Sequence, residues 1–156
     1  MAVTDLTSVL ESAGASYELL HHEHTERALA EAQALGVPAE DVAKTLIVAT
    51  PTGYVRALVP AARRIDIGKL RDVLDLRKRD VQLASEAQMA RDYSEFELGA
   101  VPPLGGARRD PVVIDRALAA RDRIVFEAGS HDDSVRVSTE DLVRLTDASI
   151  ADITAD

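Results

Sequence analysis

Residues 40–60 read "EDVAKTLIVATPTGYVRALVP", and no other stretch limits the fold as much. Two runs rich in β-branched residues, "TLIVAT" and "YVRALVP", flank the glycine-containing connection "PTG", the pattern of a β-hairpin. A chain with such a hairpin needs a sheet around it and a face to bury. Lys44 stands at the mouth of the first run and is one of only three lysines among 18 basic residues. Its long side chain either snorkels from a strand end or carries a positive charge into a pocket.

The segments on either side say what covers that sheet. "DLTSVLESAG" sets Leu6, Val9, Leu10 and Ala13 on one helical face and stops at Gly14. "SYELLHH" reads as a short strand, and "TERALAEAQALG" as a helix with Ala28, Leu29, Ala32 and Leu35 on its apolar face. After the hairpin, "DIGKLRDVLD" predicts a helix capped by Asp66 over an Ile67, Leu70, Val73, Leu74 stripe. "DVQLA" is a brief strand and "SEAQMARD" a short helix. "LGAVPPLGG" cannot be a regular element, because consecutive prolines remove two backbone donors. The last third supplies the strands "PVVID", "RIVFEAG" and "SVRVST", then a helix over "STEDLVRL" capped by Ser138 or Thr139. Strands mixed with helices, without regular strand-helix-strand alternation, predict a mixed α/β (α+β) fold. No repeat or linker divides the 156 residues, so a single domain over 1–156 is expected.

Charge and composition remove several classes of function. With 27 acidic residues against 18 basic ones the net charge is −9, which disfavours non-specific wrapping of DNA. A local positive patch remains allowed, and Arg63, Arg64, Lys69, Arg71, Arg77, Lys78 and Arg79 cluster closely enough to form one. Without cysteine there is no disulfide, thiolate nucleophile or cysteine metal site. No basic segment precedes an apolar run at the N-terminus, and no apolar stretch is long enough to span a bilayer, so a cytoplasmic location is expected.

The remaining candidates for chemistry are few. His21, His22 and His24 cluster in "HHEHTE", but the spacing is not the helix-borne HExxH pattern and His131 lies far off, so no metal is assigned. No GxSxG elbow surrounds Ser134 or Ser138, and "GAVPPLGG" has neither of the glycine-rich phosphate-binding orders. The Gly/Pro segment is either a surface turn or a rigid loop lining a pocket.

Taken in order, "AKTLIV", "LVPAARRIDIGKLRDVL", "VQLASEAQM", "ELGAVPPLGGARRDPVVID" and "EAGSHDDSVRVSTEDLVRL" resemble the YbaK family, the prolyl-tRNA synthetase-associated editing domains, from about Leu19 to Thr154. The resemblance implies a mixed, partly closed β-sheet with helices around it. It also implies a deacylase that hydrolyses the ester between a wrong amino acid and the 3′ end of tRNA, typically alanine or cysteine on the proline tRNA. No cofactor is implied. Mischarged tRNA is the expected partner, with prolyl-tRNA synthetase as a second one. The family's functional lysine falls on Lys44 and its loop glycines on Gly99 and Gly105, with Ala100 where a second glycine often stands. His22 lies near an aromatic position of some members. The position where some members carry an acid falls on Ser134 or shifts to Asp132 or Asp133, and His131 matches members with a histidine in that loop. On this reading Lys44, Gly99 and Gly105 are catalytic, and His22, Ala100, His131 and Ser134 bind substrate. Lys44 and the loop should then line one concave pocket with His22 and His131 at its edge. The alternative is a module of the same fold that binds a tRNA end or a nucleotide without chemistry, a reading prompted by Ala100 and Ser134.

Overall fold

The computed structural model describes residues 2–156, with side chains from Leu6 onward. Its centre is the expected hairpin. Strands β2 (Ala43–Thr50) and β3 (Gly53–Pro60) pair antiparallel from Ala43↔Pro60 to Thr50↔Gly53, so the connection proper is Pro51 and Thr52. Thr50 Oγ1 donates to the Gly53 carbonyl and fastens the turn.

Around the hairpin a five-stranded sheet runs in the order β4-β2-β3-β5-β8, where β4 is Gln82–Leu83, β5 is Val112–Asp115 and β8 is Ser149–Ala151. The β3–β5 and β5–β8 pairs are parallel and the others antiparallel. The C-terminal "SIADIT" segment thus supplies an edge strand. Central β3 is buried on both faces, and its side chains divide with the period of two that a strand requires. Val55, Ala57 and Val59 join Val113 and Ile153 under helix α3 (Ile67–Leu74), which contributes Leu70. Leu58 faces the opposite core, built with Ile114, Phe126 and Val135 and closed by Leu6 and Leu10 of helix α1 (Ala2–Ser12).

A second sheet, ordered β1-β7-β6, is antiparallel throughout, with β1 at Tyr17–His21, β6 at Arg123–Glu127 and β7 at Asp133–Ser138. A parallel bridge from Val42 to Val125 ties it to the start of β2 and partly closes the two sheets on each other. Helix α2 (Ala28–Leu35) precedes β2, α4 (Glu86–Asp92) follows β4, α5 (Arg116–Ala119) follows β5, and α6 (Thr139–Thr146) follows β7. The expected caps are present: Asp66 accepts from Lys69 N and Ser138 from Asp141 N. Two apolar faces differ from expectation. Val73 turns outward from α3, and Leu29 of α2 is 47% exposed while Glu31 is fully buried.

The Gly/Pro loop between α4 and β5 has no regular structure of its own and is held from β3. Arg56, 1% exposed, pairs with the equally buried Asp110 at 3.0 Å and donates to the carbonyls of Pro102, Gly105 and Arg108. A buried guanidinium persists only when its charge and its donors are satisfied, and this loop satisfies them.

Candidate active site

The partial closure leaves a gap. β2 is covered by β4 only at Val48 and Ala49 and is bridged to β6 only at Val42, so its edge from Ala43 to Ile47 lies open between them. A cavity of about 680 Å³ fills this gap, lined by β2, by Leu83 and Ala84, by Ala61–Arg64 after β3, by residues 26–29, by Gly99 and Val101, and by Glu127. The ladder's alternation turns the odd-numbered peptide groups of β2 toward it. Ala61 N donates to Val42 O on the β3 side and Ala84 N to Ile47 O on the other, so Thr45 N–H and C=O face the gap.

Lys44 is half-buried in the cavity wall, with no carboxylate paired to its ammonium among the described residues. Burial, and then the neighbouring Arg64, hold its pKa below the usual lysine value. Arg27, Arg63 and Arg64 stand exposed around the same opening, also without ion-pair partners among the described residues. Cations elsewhere are largely paired: Arg121 with Asp41, Arg136 and Arg123 with Glu18, and Lys69 with Asp152. Four of the cations without an ion pair among the described residues thus gather at this mouth, where Leu29 and Leu83 also expose apolar surface, while Arg77, Lys78, Arg79 and Arg109 are unpaired elsewhere.

Gly99 lines the cavity at φ +84°, a conformation L side chains rarely adopt, and a Cβ there would sit 3.6 Å from the His131 ring. Gly105, at φ +93°, lies away from the cavity against Leu6, with its carbonyl held by Arg56. Ala100 is buried behind the wall, its N–H on the Glu97 carbonyl. Of the residues expected at the site, Lys44 and Gly99 reach the cavity surface, whereas Gly105, Ala100, His22, His131 and Ser134 stand behind it.

Those hidden polar residues form two buried chains. His22 Nδ1 donates to the Glu23 carbonyl at 2.7 Å, and Nε2 meets Ser134 Oγ at 2.9 Å, which in turn bonds Glu31. Ser134 Oγ donates to Glu31 Oε2, so the serine hydroxyl links the imidazole to the acid. Burial raises the Glu31 carboxyl to about 7, against the lowering by the Ser134 hydroxyl and the nearby His131. In the second chain His131 Nε2–H donates to the Leu98 carbonyl while Nδ1 lies 2.7 Å from Glu127 Oε2. Burial, and the Glu31 charge nearby, raise the Glu127 carboxyl. Burial opposes a charged His131 ring, but Leu98 and Glu127 outweigh it and its pKa is raised. His21 and His24 point elsewhere, to Asp133 and Asp132, and no cluster of three metal-ligating side chains exists among the described residues.

Glu31, Glu127 and Arg27 are site residues that no motif announces. The available signal was an acid inside an apolar pattern: Glu31 in "ALAEAQAL", and Glu127 ending the strand "RIVFE".

The sequence profile of the aminoacyl-tRNA editing domain matches residues 22–145. EbsC of Enterococcus faecalis, provisionally named a Cys-tRNA(Pro)/Cys-tRNA(Cys) deacylase, is 24% identical over 139 residues, spanning 88% of this chain and 83% of its own. A solved structure described provisionally as a trans-editing enzyme for prolyl-tRNA synthetase superposes with a TM-score of 0.87 at 23% identity, covering 99% of this chain and 98% of that one. The hypothetical protein APE2540 gives 0.86 at 24% identity, over 97% and 99% of the two chains. The open-edged sheet is thus a YbaK-like fold, and the chain belongs to the aminoacyl-tRNA editing domain family, whose members are deacylase-like trans-editing domains.

Proposed function

We propose that the protein is a trans-acting aminoacyl-tRNA deacylase that removes a wrong amino acid, alanine or cysteine, from the proline tRNA. The observation that carries this reading is Lys44, an unpaired ammonium half-buried in a cavity whose volume lies within the range of small-ligand pockets. An aminoacyl ester is already activated, so its hydrolysis needs orientation, a positioned water and donors at the developing oxyanion. Lys44 and the Thr45 N–H facing the gap are suited to the terminal phosphate and the oxyanion. Even with its pKa lowered, Lys44 serves better as a fixed charge than as a base. Arg27, Arg63 and Arg64 suit the phosphates of a single-stranded 3′ end.

Editing by size excludes the larger correct amino acid, because one methylene in a binding pocket discriminates by only ~1–3 kcal/mol and a synthetase needs a second sieve. The overall negative charge makes prolyl-tRNA synthetase, which would bring the tRNA, a natural partner, and the reading implies a cytoplasmic location. A panel of misacylated tRNAs tests the proposal. The wild type is expected to release alanine or cysteine from proline tRNA, and Lys44→Ala to slow release at least about tenfold with the fold intact. Undiminished turnover in Lys44→Ala sinks the role of the lysine. Tight binding of a non-hydrolysable aminoacyl end, with no release from any tRNA, shows a binding module instead.

A further inference from the structure

Glu127 is 9% exposed, yet it belongs to the wall of the cavity that holds Lys44 and Gly99. Behind it His131, 6% exposed, is fixed through both ring nitrogens. A carbonyl only accepts, so the Leu98 contact keeps a proton on Nε2 in either charge state and leaves Nδ1 to face Glu127 Oε2. Nδ1 and Oε2 face each other as an ion pair at 2.7 Å, and neither atom has another partner among the described residues. The other oxygen of Glu127 has no hydrogen-bond partner among the described residues. Glu31 and Ser134 are fully buried and do not reach the cavity. The pair of Glu127 and His131 ends at the cavity.

The geometry points to Glu127 as the proton acceptor for the water that attacks the ester, with His131 as the positioning residue that orients it and balances its charge. This rests on the deacylase reading above. The water oxygen bonds to the ester carbonyl carbon while its proton passes to Glu127. When the tetrahedral intermediate collapses, the bond from carbon to the ribose oxygen breaks, and that oxygen takes the proton from Glu127. The amino acid leaves as its acid and ionises in solvent, the tRNA end regains its hydroxyl, and Glu127 is again a carboxylate. Water is the only co-reactant. The titratable groups facing Glu127 are Glu31 from α2, Glu97 from the segment after α4 and His131 from the turn after β6. Burial first, then Glu31, raise its carboxyl toward neutrality, where a general base works best.

Single-turnover deacylation, followed from about pH 5 to about pH 9 on a tRNA that the wild type hydrolyses, tests the assignment. E127Q is expected to lower the saturated rate at least about 100-fold, to keep the half-saturating concentration within about twofold, and to abolish the rise of rate with pH. E127D, an acid one methylene shorter, recovers part of the loss. H131N removes the positive charge that favours the carboxylate, so it moves the rise to higher pH without weakening binding. A saturated rate within about threefold of wild type in folded E127Q overturns the role of Glu127 while leaving the deacylase reading in place. So does a rise only in half-saturating concentration that disappears with N-acetylated substrates, since Glu127 would then be holding the substrate's ammonium group. A wild type inactive on every charged tRNA overturns the deacylase reading and the base with it.

Discussion

Glu31 sits fully buried on a helix otherwise built of alanine, leucine and one glutamine, and Oε1 has no hydrogen-bond partner among the described residues. Such a position tolerates the neutral acid far better than the carboxylate. The unfolded chain ionises near 4.5 and the folded chain at about 7, so the native state holds more protons between these values. Stability then falls as pH rises from about 4.5 to about 7 and levels off above, a loss on the order of 3 kcal/mol by linkage. E31Q, whose amide oxygen can still accept from Ser134 and which cannot ionise, should match the wild type in urea melts near pH 4.5 and exceed it above about pH 8 by about 1–3 kcal/mol. A variant less stable than wild type at both pH values would show that the carboxylate itself is wanted. At this scale the sequence was half legible. Lys44 and Gly99 could be named from their ordered segments, because a strand entrance and a glycine-rich turn leave local marks. Glu127 and Glu31 could not, since what raises each carboxyl is first its burial, which the folded chain sets and no local pattern records.

Among the elements, the hairpin, the capped helices α3 and α6 and the three late strands follow from periodicity and caps. Pairing order does not: nothing local says that β1 joins β7 or that β5 lies parallel to β3. The Gly/Pro loop shows the same division. Its prolines forbid regular structure, but its anchor, Arg56, lies in the middle of an apolar strand about fifty residues earlier. Arg56→Leu is expected to destabilise the fold by about 3 kcal/mol, as measured by chemical denaturation, because three loop carbonyls lose their donor and buried Asp110 keeps only Tyr93 and the more distant Arg108. The double variant with D110N should recover part of that loss. Gly99→Ala, forced into φ +84°, should cost about 1 kcal/mol and disturb the nearby His131 ring, seen as a shifted imidazole resonance.

For the whole molecule, an acidic body with free cations at one opening is a device for orientation. On the proposed function, the net negative charge would disfavour polyanion over much of the surface and Lys44, Arg27, Arg63 and Arg64 would draw the 3′ end to the cavity. Replacing both Arg63 and Arg64 by alanine should weaken tRNA binding and reduce the slope of log K against log salt by about 0.7 for each phosphate that is no longer neutralised. A titration series at several salt concentrations measures it, and an unchanged slope would place the RNA elsewhere. The pairing of Tyr17 with Val137 and of His21 with Asp133 has a further consequence, for the order of events during synthesis. A ribosome that has emitted the β2–β3 hairpin has already released Lys44, yet β1 must wait for β7, more than a hundred residues behind it. Non-local closure of this kind is slow. The nascent chain therefore carries a cation without a finished cavity until nearly its last helix has emerged, and any activity that needs both would arrive all at once, with the finished fold.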